Sequence, residues 1–286
     1  MKEIFDGFEK LKTSRREFGL GSDEVLRCIK TIFEYSLQYL NSCNRIELKS
    51  KVEGKRYFAF KSEKKITRAI NSDVYETGLP LADKMFEAVR RRCFDELDAD
   101  SMTAACYLSA ISYCSAVDLL KSGDQKTPGT FFEYFIGHLY SRRLGIDPKK
   151  KIDVLNLDMQ STLPTDFIFD LGSNRAKFHL PVKTSTRERV IQVWAHQRLL
   201  DGVYGTGRFI GTLACMAETK TDKKKLEVVE ICLPAQWRLY QMYIAQMKRI
   251  YYLDMPDAYG RLNTVFPKIP VMPFGHFFSE IDSLTQ

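Results

Sequence analysis

Residues 164–197 read PTDFIFDLGSNRAKFHLPVKTSTRERVIQVWAHQ, and the fold turns on this stretch. Phe167, Phe169 and Leu171 alternate with Asp166, Ile168 and Asp170, the period of a half-buried strand. Gly172-Ser173-Asn174 is a turn-forming cluster, and Phe178, Leu180 and Val182 alternate again beyond it. The pattern predicts two antiparallel strands joined as a hairpin, with Asp166 at the start of the first and Lys183 at the end of the second. A hairpin brings those two ends to one edge of a sheet. Strand parity groups Asp166 with Ile168 and Asp170, and Lys183 with Pro181 and His179; it permits the two faces to coincide without requiring it. Thr186 is suited to cap a helix running to about Leu200.

Working outward, residues 207–217 and 226–233 read as two further strands joined by an exposed run, 220–225, whose Lys223-Lys224-Lys225 forms a solvated tip. Pro234 opens a helix to about Ile250, with Tyr240, Tyr243, Tyr251 and Tyr252 as its packing aromatics, before a proline-rich tail. Toward the N-terminus, Phe131, Phe132, Phe135, Ile136, Leu139 and Tyr140 mark an amphipathic helix over residues 130–143, with Gly145 as its stop. The turn formers of residues 121–129 (KSGDQKTPG) suit a linker. They divide the chain into a mainly helical region, 1–120, and a second domain, 121–286. In the first, Val25, Leu26, Ile29, Ile32, Phe33 and Leu37 recur at helical spacing, residues 102–120 carry only Asp118 as a charge, and KRYFAFK at 55–61 suits a short hairpin. The fold class is therefore α/β (α+β), a helical front joined to a mixed back.

The chain has 286 residues and a net charge of +7. That charge is uneven: residues 1–120 hold 20 Lys/Arg and 19 Asp/Glu, and the remainder hold 23 and 17. A basic surplus in one half points to a polyanionic partner. Seven cysteines without a Cys-x-x-Cys pair read as reduced thiols rather than a zinc or disulfide framework. His138, His179 and His276 lack metal-ligand spacing, and no glycine-rich phosphate loop is present. The N-terminus lacks an apolar signal core, which points to the cytoplasm.

A carboxylate and a lysine at one sheet edge are the parts that phosphodiester hydrolysis needs. The carboxylate of Asp166 holds a hard cation such as Mg²⁺, and the ammonium of Lys183 stabilises phosphate charge or orients a water. The continuation Lys183-Thr-Ser-Thr-Arg187-Glu188-Arg189 sharpens the pattern. An Arg fork matches guanine O6 and N7, and a Glu between two Args accepts from cytosine N4.

Together, Pro164-Thr165-Asp166, Leu180-Pro181-Val182-Lys183 and Arg187-Glu188-Arg189 resemble the type II restriction endonucleases that read CCGG, CCNGG and related sites, within the PD-(D/E)XK nuclease superfamily. The resemblance spans residues 129–197. It implies a mixed central sheet flanked by helices, a Mg²⁺-dependent double-strand cut in DNA, Asp166 as metal ligand, Lys183 as catalytic lysine, and Arg187, Glu188 and Arg189 as DNA-reading residues. It also implies a homodimer and a companion DNA methyltransferase. Residues 102–120 and the C-terminal aromatics are candidate dimer surfaces, and both are equally candidate core.

Two departures from the pattern stand out. Pro181 occupies the position, two before the lysine, where the superfamily often has Glu. The helix that follows carries His196 and Gln197 where the group supplies a carboxylate; helix geometry favours Gln197, whereas His196 shares the face of Arg189. Glu133, on the helix at 130–143, is a further candidate for water-mediated metal support, and solvent is its other destination. A non-cutting DNA-binding protein and a repair or junction-resolving nuclease of the same superfamily are the competing functions.

Overall fold

Helix α1 (Lys2–Glu17) buries Ile4, Phe8 and Leu11, and α2 (Asp23–Asn41), capped by the Ser22 hydroxyl at Val25 N–H, buries Val25, Leu26, Ile29, Ile32 and Phe33 as the periodicity predicts. The computed structural model describes residues 2–63, 65–156, 159–172, 175–187 and 190–284, and the chain divides into two units. Strands β1 (Asn44–Ser50), β2 (Tyr57–Ser62), β3 (Lys65–Ile66) and β4 (Ile70–Asn71) follow. The strand expected at 55–61 does form, but it pairs antiparallel with β1 (Leu48 opposite Tyr57) rather than closing a local hairpin. The first region is thus helix-rich with a sheet inside it.

Helices α3 (Ser72–Gly78), α4 (Ala82–Arg91) and α5 (Ala99–Leu120) complete its centre. Nearly every residue of α5 is buried, so the segment offered as a dimer surface is core; it is also the one described helix long and apolar enough to cross a membrane. Asp118, the lone charge of residues 102–120, is held by Arg68 in a fork, Nε to Oδ2 at 2.8 Å and Nη2 to Oδ1 at 2.9 Å. Helix α6 (Lys126–Leu144) belongs here too. Phe131 packs on Tyr113 at 4.1 Å, His138 Nδ1 bonds the Leu20 carbonyl, and Arg142 bonds those of Val89 and Gly21. The turn formers at 121–129 therefore make a turn within the first unit, and the division falls after Arg143.

The second unit, Leu144–Glu218 with Cys232–Gln286, begins with β5 (Lys149–Asn156) and β6 (Met159–Phe169), a long antiparallel pair. Asp166 consequently lies well inside β6 rather than at its start. Strands β7 (Lys177–Leu180) and β8 (Val182–Lys183) flank Pro181, which has no N–H for the ladder. Gly172, at φ 110°, enters the turn between β6 and β7; Ser173 and Asn174 lie outside the described residues. Helix α7 (Val190–Tyr204) and β9 (Phe209–Cys215) follow.

The chain then returns to the first unit. There β10 (Thr219–Asp222) and β11 (Glu227–Glu230) form a hairpin, tipped by the lysine run, whose β11 pairs parallel with β1 and extends that sheet to six strands. So the two strands expected after α7 belong to different sheets, and part of the connecting run is itself strand. From Cys232 the second unit resumes with α8 (Pro234–Tyr243), β12 (Arg249–Tyr252), α9 (Asp257–Gly260), β13 (Val271–Pro273) and α10 (His276–Leu284). The helix opened by Pro234 stops at Tyr243, and Tyr251 and Tyr252 are strand residues, buried beside β9. A run of β-branched and aromatic residues packs better on a sheet buried on both faces than on a helix. The seven-stranded sheet runs β13-β12-β9-β7-β6-β5, with β8 also on β9. Val190, Val193 and Trp194 of α7 pack over it with Trp237, Ile250 and Tyr252. All seven cysteines are free thiols.

Helices α3 and α5 touch through backbone at Gly78, where a Cβ would come within 2.5 Å of the Ala104 carbonyl oxygen and 2.9 Å of Leu108 Cβ. Gly78→Ala should therefore force the helices apart and cost about 1–3 kcal/mol. Urea unfolding will report this as a lower midpoint at unchanged slope; an unmoved midpoint would contradict the contact.

Candidate active site

Antiparallel pairing sets Phe167 of β6 opposite Leu180 of β7, which leaves Asp166 beside Pro181 at the point where the return strand breaks. Beyond Pro181 the chain shifts its pairing: Val182 and Lys183 run parallel to Ala214 and Cys215 of β9. Asp166 ties this displaced segment back to β6. Its Oδ2 accepts from Val182 N–H at 2.8 Å and from the Lys183 ammonium at 2.7 Å. Both side chains remain partly open, at 22% for Asp166 and 29% for Lys183, so a polyanion can approach them. Both hydrogen bonds land on one oxygen, and Oδ1 is left without a protein partner among the described residues.

The donor set fits a magnesium ion. Mg²⁺ prefers oxygen, keeps several waters, and is commonly held by one or two carboxylates together with phosphate oxygens. Asp166 supplies such an oxygen at an open edge. Among the described residues no cluster of three or more His, Cys, Asp or Glu side chains offers a fuller cage. Pro181, at its superfamily position, contributes none.

Gln197, on α7, is turned into the sheet. Its Oε1 lies 3.0 Å from His179 Nδ1, and its Nε2 donates to Asp201 Oδ1 and to the Phe209 carbonyl, each at 3.0 Å. The amide thus spends both hydrogens and engages its oxygen in joining α7 to β7 and β9. Gly211 makes room for it, since a Cβ there would stand 2.7 Å from Gln197 Oε1. Burial pushes His179 down to about 4, against the opposing effect of Gln197, so the ring is neutral at physiological pH. Burial lowers His196 as well, while the Asp166 charge opposes this and that of Lys183 reinforces it; its half-buried ring therefore shares the electrostatic environment of the pair. Asp201, four residues beyond Gln197 on the same helical face, escaped the sequence reading, and burial raises it most.

Of the three expected readers, Arg187 is exposed and has a positive φ of 22°; Glu188 and Arg189 lie outside the described residues. The N–H groups that Thr186 would cap belong to residues outside the described ones. The N–H and hydroxyl of Thr186 itself both go to Glu218, another residue without a sequence signal, and α7 begins only at Val190. Glu133 is half-buried on α6 in the first unit.

No protein-family model and no curated protein matches the chain. Among solved structures it is similar to the type IIP restriction endonuclease Kpn2I, with a TM-score of 0.79 and 28% identity over 96% of both chains. It also matches the restriction endonuclease PspGI solved with its substrate DNA, at a TM-score of 0.43 and 13% identity over 72% of this chain and 91% of that one. The first likeness embraces both units, including residues 1–120, which carried no resemblance of their own. Over nearly its whole length, the chain shares the mixed α/β fold of a type II restriction endonuclease of the PD-(D/E)XK kind.

Proposed function

We propose that the protein is a magnesium-dependent, sequence-specific endonuclease that cuts both strands of DNA at a short palindromic site containing G·C pairs, of the CCGG or CCNGG type. The observation that carries this reading is the 2.7 Å pairing of Asp166 with Lys183 at an open strand edge, four residues before Arg187. Support comes from the likeness to Kpn2I and from the basic surplus of residues 121–286. Asp166 would hold the metal through its carboxylate. When bound there, magnesium polarises a phosphoryl oxygen and lowers the pKa of a water. Lys183, released from Asp166 toward an arriving phosphate, stabilises the negative charge that builds on it. Arg187, with Glu188 and Arg189, reads base edges in the major groove.

Gln197 acts by position in this scheme, holding α7 against β7 and β9, and His196 is the remaining side chain of α7 placed to meet substrate or water. A two-fold symmetric cut is most simply made by two copies related by the same axis, so the working form is a homodimer. A companion methyltransferase would protect the cell's own sites, and both would act in the cytoplasm.

Asp166→Ala or Lys183→Ala should slow magnesium-dependent nicking of supercoiled plasmid by about 10²–10³-fold or more, with DNA binding in Ca²⁺ largely kept. Near-parental cutting by either variant would refute the assignment. If the parent binds DNA in Ca²⁺ yet never nicks, the protein is a non-cutting binder on a nuclease fold.

Gln197→Ala strands the buried His179 Nδ1 and the half-buried Asp201, so it should lower stability by about 1–3 kcal/mol and slow cleavage at the same time. His196→Ala should leave the melting temperature alone. If His196→Ala slows cutting and Gln197→Ala does not, the position following the lysine belongs to His196.

Arg187→Ala should weaken binding to a CCGG- or CCNGG-containing duplex by roughly ten- to hundredfold, the worth of a bidentate guanine contact of about 1–3 kcal/mol, and should spare scrambled duplexes. Equal loss on both would make Arg187 a phosphate clamp.

A further inference from the structure

Glu218 is the most heavily hydrogen-bonded carboxylate among the described residues of the second unit, and the chemistry described so far leaves it unused. It is 1% exposed. A buried carboxylate is tolerated only where donors replace its water. Oε1 accepts from Thr186 N–H at 2.9 Å, the Thr186 hydroxyl at 2.6 Å, the Tyr252 hydroxyl at 2.8 Å and the Cys215 thiol at 3.6 Å. Oε2 accepts from the Ser185 hydroxyl at 2.8 Å and again from Thr186 N–H, at 3.2 Å.

These donors come from two places with different duties. Cys215 and Tyr252 sit on β9 and β12, the rigid middle of the sheet. Ser185 and Thr186 sit on the three-residue bridge between Lys183 and Arg187. The backbone leads to the same junction: Met216 N–H bonds the Lys183 carbonyl at 3.1 Å and Ala217 N–H bonds that of Thr184 at 3.3 Å. On their other side Leu253 and Asp254 N–H groups bond the Cys215 and Met216 carbonyls. The residues leading to Glu218 are thus held from both flanks, and its carboxylate reaches back to grip the bridge where the ladder ends. The next residue, Arg187, takes a positive φ, a conformation that a non-glycine residue keeps only when its surroundings impose it.

We propose that Glu218 is a positioning residue for sequence recognition: it locks Ser185 and Thr186 to the sheet, and so fixes where the element beginning at Arg187 stands relative to Lys183. The proposal rests on Arg187 being a base reader. Glu218 is buried, and its action passes through the bridge. Glutamine in its place keeps the shape and one accepting oxygen but loses the charge that makes such bonds about twice as strong. Hydroxyls can rotate to meet the new amide; Thr186 N–H cannot.

The test uses the full chain in Ca²⁺ with two probes, a duplex carrying CCGG or CCNGG and one of the same composition with the site scrambled. Thr186→Val removes one hydroxyl donor at nearly constant shape, and Glu218→Gln weakens the whole grip. Each should lower the ratio of specific to scrambled affinity about tenfold or more, with scrambled binding kept within about twofold. The double variant should do no worse than Glu218→Gln alone, because both break one contact. If folded Glu218→Gln and Thr186→Val melt earlier yet keep the parental ratio, or if their effects on the ratio simply add, the proposal is overturned. Should Glu218→Gln fail to fold, Thr186→Val and Ser185→Ala decide by the same ratio. Arg187→Ala separates the levels. If it loses discrimination while the bridge variants do not, only the role of Glu218 falls. If it loses affinity equally on both probes, or if the parent discriminates neither, the base-reading assignment falls and this role with it.

Discussion

Everything at the sheet edge hangs on one carboxylate oxygen. Asp166 Oδ2 accepts the Val182 amide and the Lys183 ammonium together, at 2.8 and 2.7 Å. Pro181 has just broken the return strand, and Val182 and Lys183 have moved over to pair with β9. Without Asp166 the displaced pair would be anchored on one side only. A charge-assisted bond of this kind contributes about 1–3 kcal/mol, toward the lower end where both groups are partly solvated. Its larger effect is geometric, because it presents a carboxylate and an ammonium side by side at an edge open to solvent.

The shelf beneath that edge is polar. Gln197 joins α7 to β7 and β9 through His179, Asp201 and the Phe209 carbonyl, and it fits only because Gly211 has no side chain. Within this network His179 Nδ1 is engaged, while its Nε2 is buried without a hydrogen-bond partner among the described residues. On the far side of Lys183, Glu218 similarly ties down the bridge to Arg187. Lys183 thus stands between two buried side chains, Gln197 and Glu218, neither of which faces the DNA in the proposed scheme. Gln197 is an amide that belongs to the scaffold, and Asp166 is the carboxylate paired with Lys183 at the open edge.

Legibility in the sequence followed the range of the interactions. The helices at 23–41 and 99–120 and the strand pair around 166–183 were readable, because 3.6-residue and two-residue periods repeat within a few positions. The helix misread at 244–250 failed for the same reason: a short apolar run such as Ile250, Tyr251 and Tyr252 does not announce its period, and the adjacent parallel strands decided it. The hydroxyl proton and N–H of Thr186 go to a carboxylate 32 residues away, a partner that no local period reports.

Residue types and spacing alone determined that Asp166 and Lys183 lie on outgoing and returning segments of one hairpin, that Arg187 follows at a fixed step, and that residues 102–120 form an almost uncharged helix. Those properties are local, set by side-chain polarity and backbone period. Only the tertiary structure decided that Lys183 pairs with β9 as well as meeting Asp166, which partners the inward-facing Gln197 finds, that α5 is core, that β10 and β11 leave for the other unit's sheet, and that Glu218 grips the bridge. Each depends on partners far apart in the chain, and neither parity nor periodicity reports which distant donor a buried oxygen will find.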